Sequence, residues 1–263
     1  MAVSIPIITE FEGKGIKKAI AEFKQLETTG QKAQFALKKA ALPAAAALGA
    51  VAVMAKSTIA AGEAAATSNA RIAQINESMG LFGETTEKVN NRIVEYANAT
   101  ARATGVDQNQ IKLAQAKLLT FGQLAKSADT AGGAFDRATK AAIDMGAAGF
   151  GDAATNAVQL GKALQDPIKG ITALAKSGVT FTDQEKEKIQ TLVESNKLLE
   201  AQDMVLKAIE TQVGGTAEAT ANDSDKMKVA FSQLSESIGI ILLPLFAKLT
   251  AVMVKVADFA REN

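Results

Sequence analysis

The sequence predicts an all-α protein, and three observations carry that prediction. The composition is apolar and alanine-rich, with four prolines in 263 residues, which favours long helices. Apolar residues recur at helical spacing along most of the chain. Helix start and stop signals repeat at short intervals and are densest over 160–215. The pattern divides the chain into extended N-terminal helices with a short leading strand over 1–83, a compact multi-helix module over 84–215, and a connector with an apolar C-terminal helix over 216–263.

Val3, Ile5, Ile7, Thr9 and Phe11 alternate, which reads as a short strand. Pro6 would put it at a sheet edge. Pairing with another chain and a disordered leader both remain open. The leader MAVSIPIITEFEG lacks the basic start and long apolar core of a signal peptide, and none is expected. From Lys14 the period becomes helical, with Ile16, Ala19, Ile20, Phe23 and Leu26 on one face. The local excess of lysine up to Lys39 reads as a solvated face ahead of an anionic partner's site. Pro43 should start or kink a helix. The uncharged run over 40–55 is shorter than the roughly 20 residues a bilayer span needs. Its small residues Ala45, Gly49 and Val53 suit close helix packing. An Ala-rich helix continues to Met79 with Ile72, Ile75 and Met79 on a stripe, closed by Gly80 and Gly83.

The module over 84–215 is a series of short capped helices. Thr85 is expected to cap the first, which bears Val89, Ile93, Tyr96 and Ala97 and ends at Gly105. Asp107 with Gln110 reads as a capping box for a helix with Ile111, Ala114, Leu118 and Leu119. A polar loop over 127–133 precedes a helix with Phe135, Ala138, Ala142 and Ile143. The glycines of MGAAGFG (145–151) do not form a phosphate cradle, because the lysine motif and the preceding β-rich run are missing. The next helix carries Ala154, Ala157, Val158, Gly161 and Leu164. Asp166 caps another, with Pro167 at its first position, where a missing N–H costs nothing. That helix shows Ile168, Ile171, Leu174 and Ala175 and stops at Gly178, where the chain must turn left-handed. Val179 and Phe181 form an extended link. Thr182 and Glu185 make a second capping box, with Lys186 in the place a hydrophobic staple would fill. Asn196 ends that helix. The last one carries Leu198, Ala201, Val205, Ala208 and Ile209 to the Gly214-Gly215 stop. Helices this short are marginal alone in water, so they should pack into one body.

A polar connector (TAEATANDSD) then leads to a helix with Met227, Phe231, Leu234 and Ile238 on a stripe. Beyond Ile238 it is apolar nearly all round, across Pro244. Such a helix is buried in its own core, in an oligomer or in lipid. Lys248 argues against a plain bilayer span, since a mid-membrane lysine costs about 2.5–3.5 kcal/mol. Packing on a partner or another copy is the expectation.

Composition removes several chemistries. Lys+Arg is 29 and Asp+Glu 28, so no global field draws the chain to nucleic acid, and no specific nucleic-acid binding is expected. Cysteine and histidine are both absent, which excludes disulfides, thiol nucleophiles, histidine triads and histidine-ligated metals. Tyr96 is the single tyrosine and there is no tryptophan, so base-stacking platforms are not expected. Glu185, Glu187, Glu194 and Glu200 are spaced as acids on solvated helix faces, not as a paired catalytic set. Neither enzyme activity nor a cofactor is expected.

Taken together, ALQDP (163–167), LAKSGVTFT (174–182), the charged helix over 183–194, Ala201-Gln202 and GGTAEA (214–219) resemble the N-terminal conserved region of phage tail tape measure proteins. ATGVDQNQIKLAQAKLLTFG (103–122) and SIGIILLPLFAKL are similar to the same family. The order and spacing of the pieces carry the resemblance, over roughly residues 64–249. Its motif residues are Asp166, Pro167, Gly170, Gly178, Phe181, Thr182, Glu185, Gly214 and Gly215. The resemblance implies a virion protein that lies in the tail lumen, templates tail tube assembly and sets tail length. It implies as partners the tail tube protein, the tail assembly chaperones, further copies of the chain and, in some relatives, the host membrane. Assembly would take place in the host cytoplasm. A membrane-active protein, pore or channel for DNA ejection, is the alternative, motivated by 40–55 and 238–254. Family members usually run many hundreds of residues. As one rod, 263 residues would reach roughly 390 Å at about 1.5 Å per residue. The turns at Pro167, Gly178 and Gly214 forbid a single rod, so 160–215 is expected to dock or initiate, not to measure.

Overall fold

The computed structural model describes residues 57–262, with side chains through residue 244. The strand over 3–11, the basic helix from Lys14 and the uncharged run over 40–55 lie outside the described residues. The chain divides into Met1–Lys56 and Ser57–Asn263, and the second unit is all-α, with no strand among the described residues.

Helix α1 is described over 57–79. It is followed by α2 (Thr86–Thr104), α3 (Gln108–Leu119), the single turn α4 (Gly122–Ala125), α5 (Ala134–Ala147), α6 (Ala153–Gln165), α7 (Pro167–Lys176), α8 (Asp183–Glu194), α9 (Leu198–Val213), the short α10 (Thr216–Thr220) and α11 (Asp223–Glu262). Helix α6 lies at the centre, packed on α3, α5 and α7, while α9 closes over α5 and α8. The main core holds Leu118, Phe135, Leu160, Leu164, Leu174 and Val205, and burying each such side chain is worth about 1.5–3 kcal/mol. A smaller cluster of Ala97, Ala101, Ile111, Ile143, Ala217 and Val229 joins α2, α3, α5, α10 and α11.

Small residues set how closely the helices cross. A Cβ on Gly170 would stand 2.1 Å from the Ala163 Cα, so α7 lies on the backbone of α6. A Cβ on Gly161 would enter the Phe121 ring. The Gly170 contact brings α6 and α7 together without a large side chain between their backbones, and the Gly161 contact lets the Phe121 ring lie on α6, as close packing requires.

Several local expectations need correction. Thr85 stands at the N-cap of α2 without a side-chain cap; its hydroxyl instead donates to the Phe82 carbonyl at 2.7 Å. Asp107 caps α3 by accepting from the Asn109 and Gln110 backbones, but the reciprocal bond from Gln110 is not made: the box is half formed. The polar loop near 127–133 begins with a tight 3-10 turn at Lys126–Asp129. The connector after Gly215 contains α10, because Asp144 organises its first turn. On α7, Ile171 and Leu174 are buried while Ile168 and Ala175 face water, since α6 covers only one side of that helix. Pro244 lies inside α11, which continues past it.

Candidate functional site

The motif residues build a knot of turns. Asp166 ends α6 and caps α7, accepting from the Lys169 backbone N–H at 3.3 Å. The Lys169 side chain, 3.1 Å away, and that backbone bond hold the Asp166 carboxyl below the usual carboxylate range. Pro167 occupies the first turn and is buried. Gly178 has φ +105 with the Phe150 ring 2.9 Å from where a Cβ would stand, so both conformation and space call for glycine. The Val179 N–H then reaches back to the Leu174 carbonyl at 3.1 Å. Phe181 is buried beside it. The box that starts α8 is complete: the Glu185 N–H donates to the Thr182 hydroxyl at 3.2 Å, and the Thr182 N–H to the Glu185 carboxylate at 2.8 Å.

Two glutamines tie the turns together. The buried Gln202 side chain donates to the Leu164 carbonyl at 2.7 Å, so a side chain near the start of α9 caps the end of α6. Gln212 accepts from the Thr180 N–H at 2.8 Å and donates to the Thr180 carbonyl at 2.8 Å. The extended link after Gly178 is thereby fixed to the last turn of α9, just ahead of Gly214 and Gly215. Thus Gly178 to Thr182 and the Gly214-Gly215 stop meet through Gln212, while the Asp166 corner joins them through Gln202.

Sequence reasoning missed three groups, the first two of which hold this knot. Asp144 on α5 is buried and accepts from the Gly215 N–H at 3.0 Å and the Ala217 N–H at 2.9 Å. Arg137 grips Glu210 in a two-pronged pair at 2.7 and 2.9 Å and also reaches Asp203. Arg92 pairs with the buried Asp136 at 2.9 Å, and the Asp136 carbonyl accepts from the Tyr96 hydroxyl at 3.1 Å. Burial, with the Asp136 charge nearby, pushes the Tyr96 phenol up to about 12. The available signal was two aspartates, Asp136 and Asp144, on the face of α5 that also carries its apolar residues.

A cleft of about 350 Å³ opens between Tyr96, Arg137, Lys140, Asp144, Glu210 and Gly215. Its charged groups are paired within the chain: Arg137 with Glu210, Lys140 with Glu218, and Asp144 with the α10 backbone. Among the described residues no cluster of acidic groups could hold a metal. The arrangement does structural work: it locks turns.

The other distinctive surface is α11. Its inward face is mostly polar. Glu236 accepts from Gln108 at 2.6 Å and Asn109 at 2.8 Å and lies 3.8 Å from the Lys112 ammonium. Burial lowers the Lys112 pKa, with Glu236 and Asp107 opposing that shift. Gln233 donates to the Asn98 carbonyl at 2.9 Å and accepts from Arg102 at 2.9 Å. Gly239 meets Gly62 of α1 backbone to backbone: a Cβ on Gly62 would stand 2.5 Å from the Gly239 carbonyl carbon. The expected stripe of Met227, Phe231, Leu234 and Ile238 faces the opposite way and is exposed, so packing among the described residues does not account for it. No protein-family model, curated protein or solved structure matches the chain.

Proposed function

We propose that the chain is a structural component of a bacteriophage tail, a tape measure protein that templates tail tube assembly and sets tail length. One observation carries the reading. The motif pieces from Ala163 to Ala219, whose order resembles that family, are the residues that build one interlocked knot of turns, so the pattern has a common structural purpose. The all-α fold and a 40-residue terminal helix are compatible with it. On this reading the knot docks or initiates, the extended helices span, and the partners are the tail tube protein and the tail assembly chaperones. The protein would act in the tail lumen after assembly in the host cytoplasm.

The membrane-active alternative draws on 40–55, outside the described residues, and on 238–254. Among the described residues no helix is long and apolar enough to cross a membrane, and the tail reading is preferred. In-frame deletion of helical turns from α11 in the phage should shorten tails in proportion. Intact virions with tails of unchanged length would sink the ruler assignment. Deletion of 160–215 should block tail assembly outright, and merely shortened tails would reverse the roles.

A further inference from the structure

Helix α11 is attached to the module mainly by polar groups. Among the described residues Val229 is its single buried apolar side chain, in a cluster with Ala97, Ala101 and Ile111. The inward residues that follow are Ser232, Gln233 and Glu236, which accept hydrogen bonds from Gln108, Arg102 and Asn109 respectively. The joint is also incompletely paired. The side-chain oxygens of Asn98, Gln108 and Asn109 are buried without a hydrogen-bond partner in the chain. The Lys112 ammonium is buried and meets Glu236 at 3.8 Å, beyond hydrogen-bond length. By contrast, α6 is held by Ala157, Leu160, Ala163 and Leu164, all fully buried.

The two attachments break differently. Water replaces the protein partners of a released polar group, so each such hydrogen bond contributes little net. Release also rehydrates Lys112 and the three orphaned oxygens, whose burial is unfavourable. Pulling α6 out exposes apolar surface that water does not compensate. Segments with few buried apolar contacts are the ones that open while the rest of a fold stays intact. A hinge stands at the boundary. Asp144 holds the start of α10 on α5, Ala221 after it is extended at φ −65 and ψ 126, and α11 begins at Asp223.

We propose that α11 is a releasable strap. It swings off the module about Ala221 and Asn222 while α2 to α10 stay folded. The motion parts the Gly62–Gly239 crossing and uncovers a polar shelf of Gln108, Asn109 and Lys112 on α3. The inference concerns the chain in solution and does not depend on the tail assignment.

Thiol labelling of the full chain tests it, because the sequence has no cysteine. Val229→Cys in the joint and Val205→Cys in the main core replace two buried valines. Under native conditions, where labelling follows the opening equilibrium, the thiol at 229 should react about 100-fold or more faster than that at 205. Low urea should accelerate reaction at 205 steeply and at 229 little, because the urea dependence follows the surface exposed on opening. Equal rates, or parallel urea dependence at the two positions, overturn the proposal. Amide exchange of the wild type makes the same comparison without a substitution. Protection over 226–244 should be lost well before that over 157–164, and α11 amides as protected as those of α6 overturn the strap.

Discussion

Lys112 on α3 and Glu236 on α11 face one another 3.8 Å apart, and water reaches little of either side chain. Across this joint Glu236 also receives Gln108 and Asn109, so four polar side chains seat one helix on another with Val229 as the buried apolar contact. Removing one member of a buried pair costs more than the pair contributes, because the remaining charge is stranded. Glu236→Ala should therefore destabilise the chain by about 3 kcal/mol. Lys112→Met combined with Glu236→Leu should recover most of that loss. Urea unfolding of the three variants measures it. A Glu236→Ala cost within error of zero would mean that the pair does not seat α11.

Asp144 should be nearly as costly to lose. Its carboxylate accepts the N–H groups of Gly215 and Ala217, and each buried donor left without a partner costs about 1–3 kcal/mol. Asp144→Ala should lose about 2–4 kcal/mol on that basis. It should also speed hydrogen exchange at Gly215 and Ala217 before the α6–α7 corner is affected. Uniform loss of protection would show that Asp144 supports the whole core and not this turn.

Tyr96 offers a pH test with a defined sign. Its folded pKa of about 12 stands above the ordinary 10.0, so the folded chain holds the phenol proton more tightly than the unfolded chain. This contribution to stability is fully present below pH 10 and is lost as pH rises from there toward 12. Because Tyr96 is the single tyrosine, tyrosinate absorbance reports it alone. Native protein should titrate near 12 and urea-unfolded protein near 10. Coincident curves would contradict the buried environment. Tyr96→Phe should flatten the loss of stability in that window.

Much of the local structure was legible in the sequence. Asp166-Pro167, Gly178, the Thr182–Glu185 box and Gly215 act through local backbone conformation and capping, which short stretches of sequence reveal. Thr85 shows the limit of this legibility. A residue suited to capping can spend its side chain elsewhere, and the choice depends on neighbours three residues away whose rotamers the sequence does not disclose. Asp144 and Gln202 were not legible, because their partners lie 71 and 38 residues off in the chain.

The sequence by itself determined the helical class, the position of most helix ends and the amphipathic stripes, because helix propensity, capping and period are short-range properties. It also showed that α11 carries an apolar seam. Only the tertiary structure decided which way that seam points. Glu236 finds Gln108, Asn109 and Lys112, and Gly239 finds Gly62, so the polar and small side of the helix is satisfied inside the module. Buried polar groups must be paired, and once they are, the same helix has no face left on which to hide Phe231, Leu234 and Ile241 within its own unit.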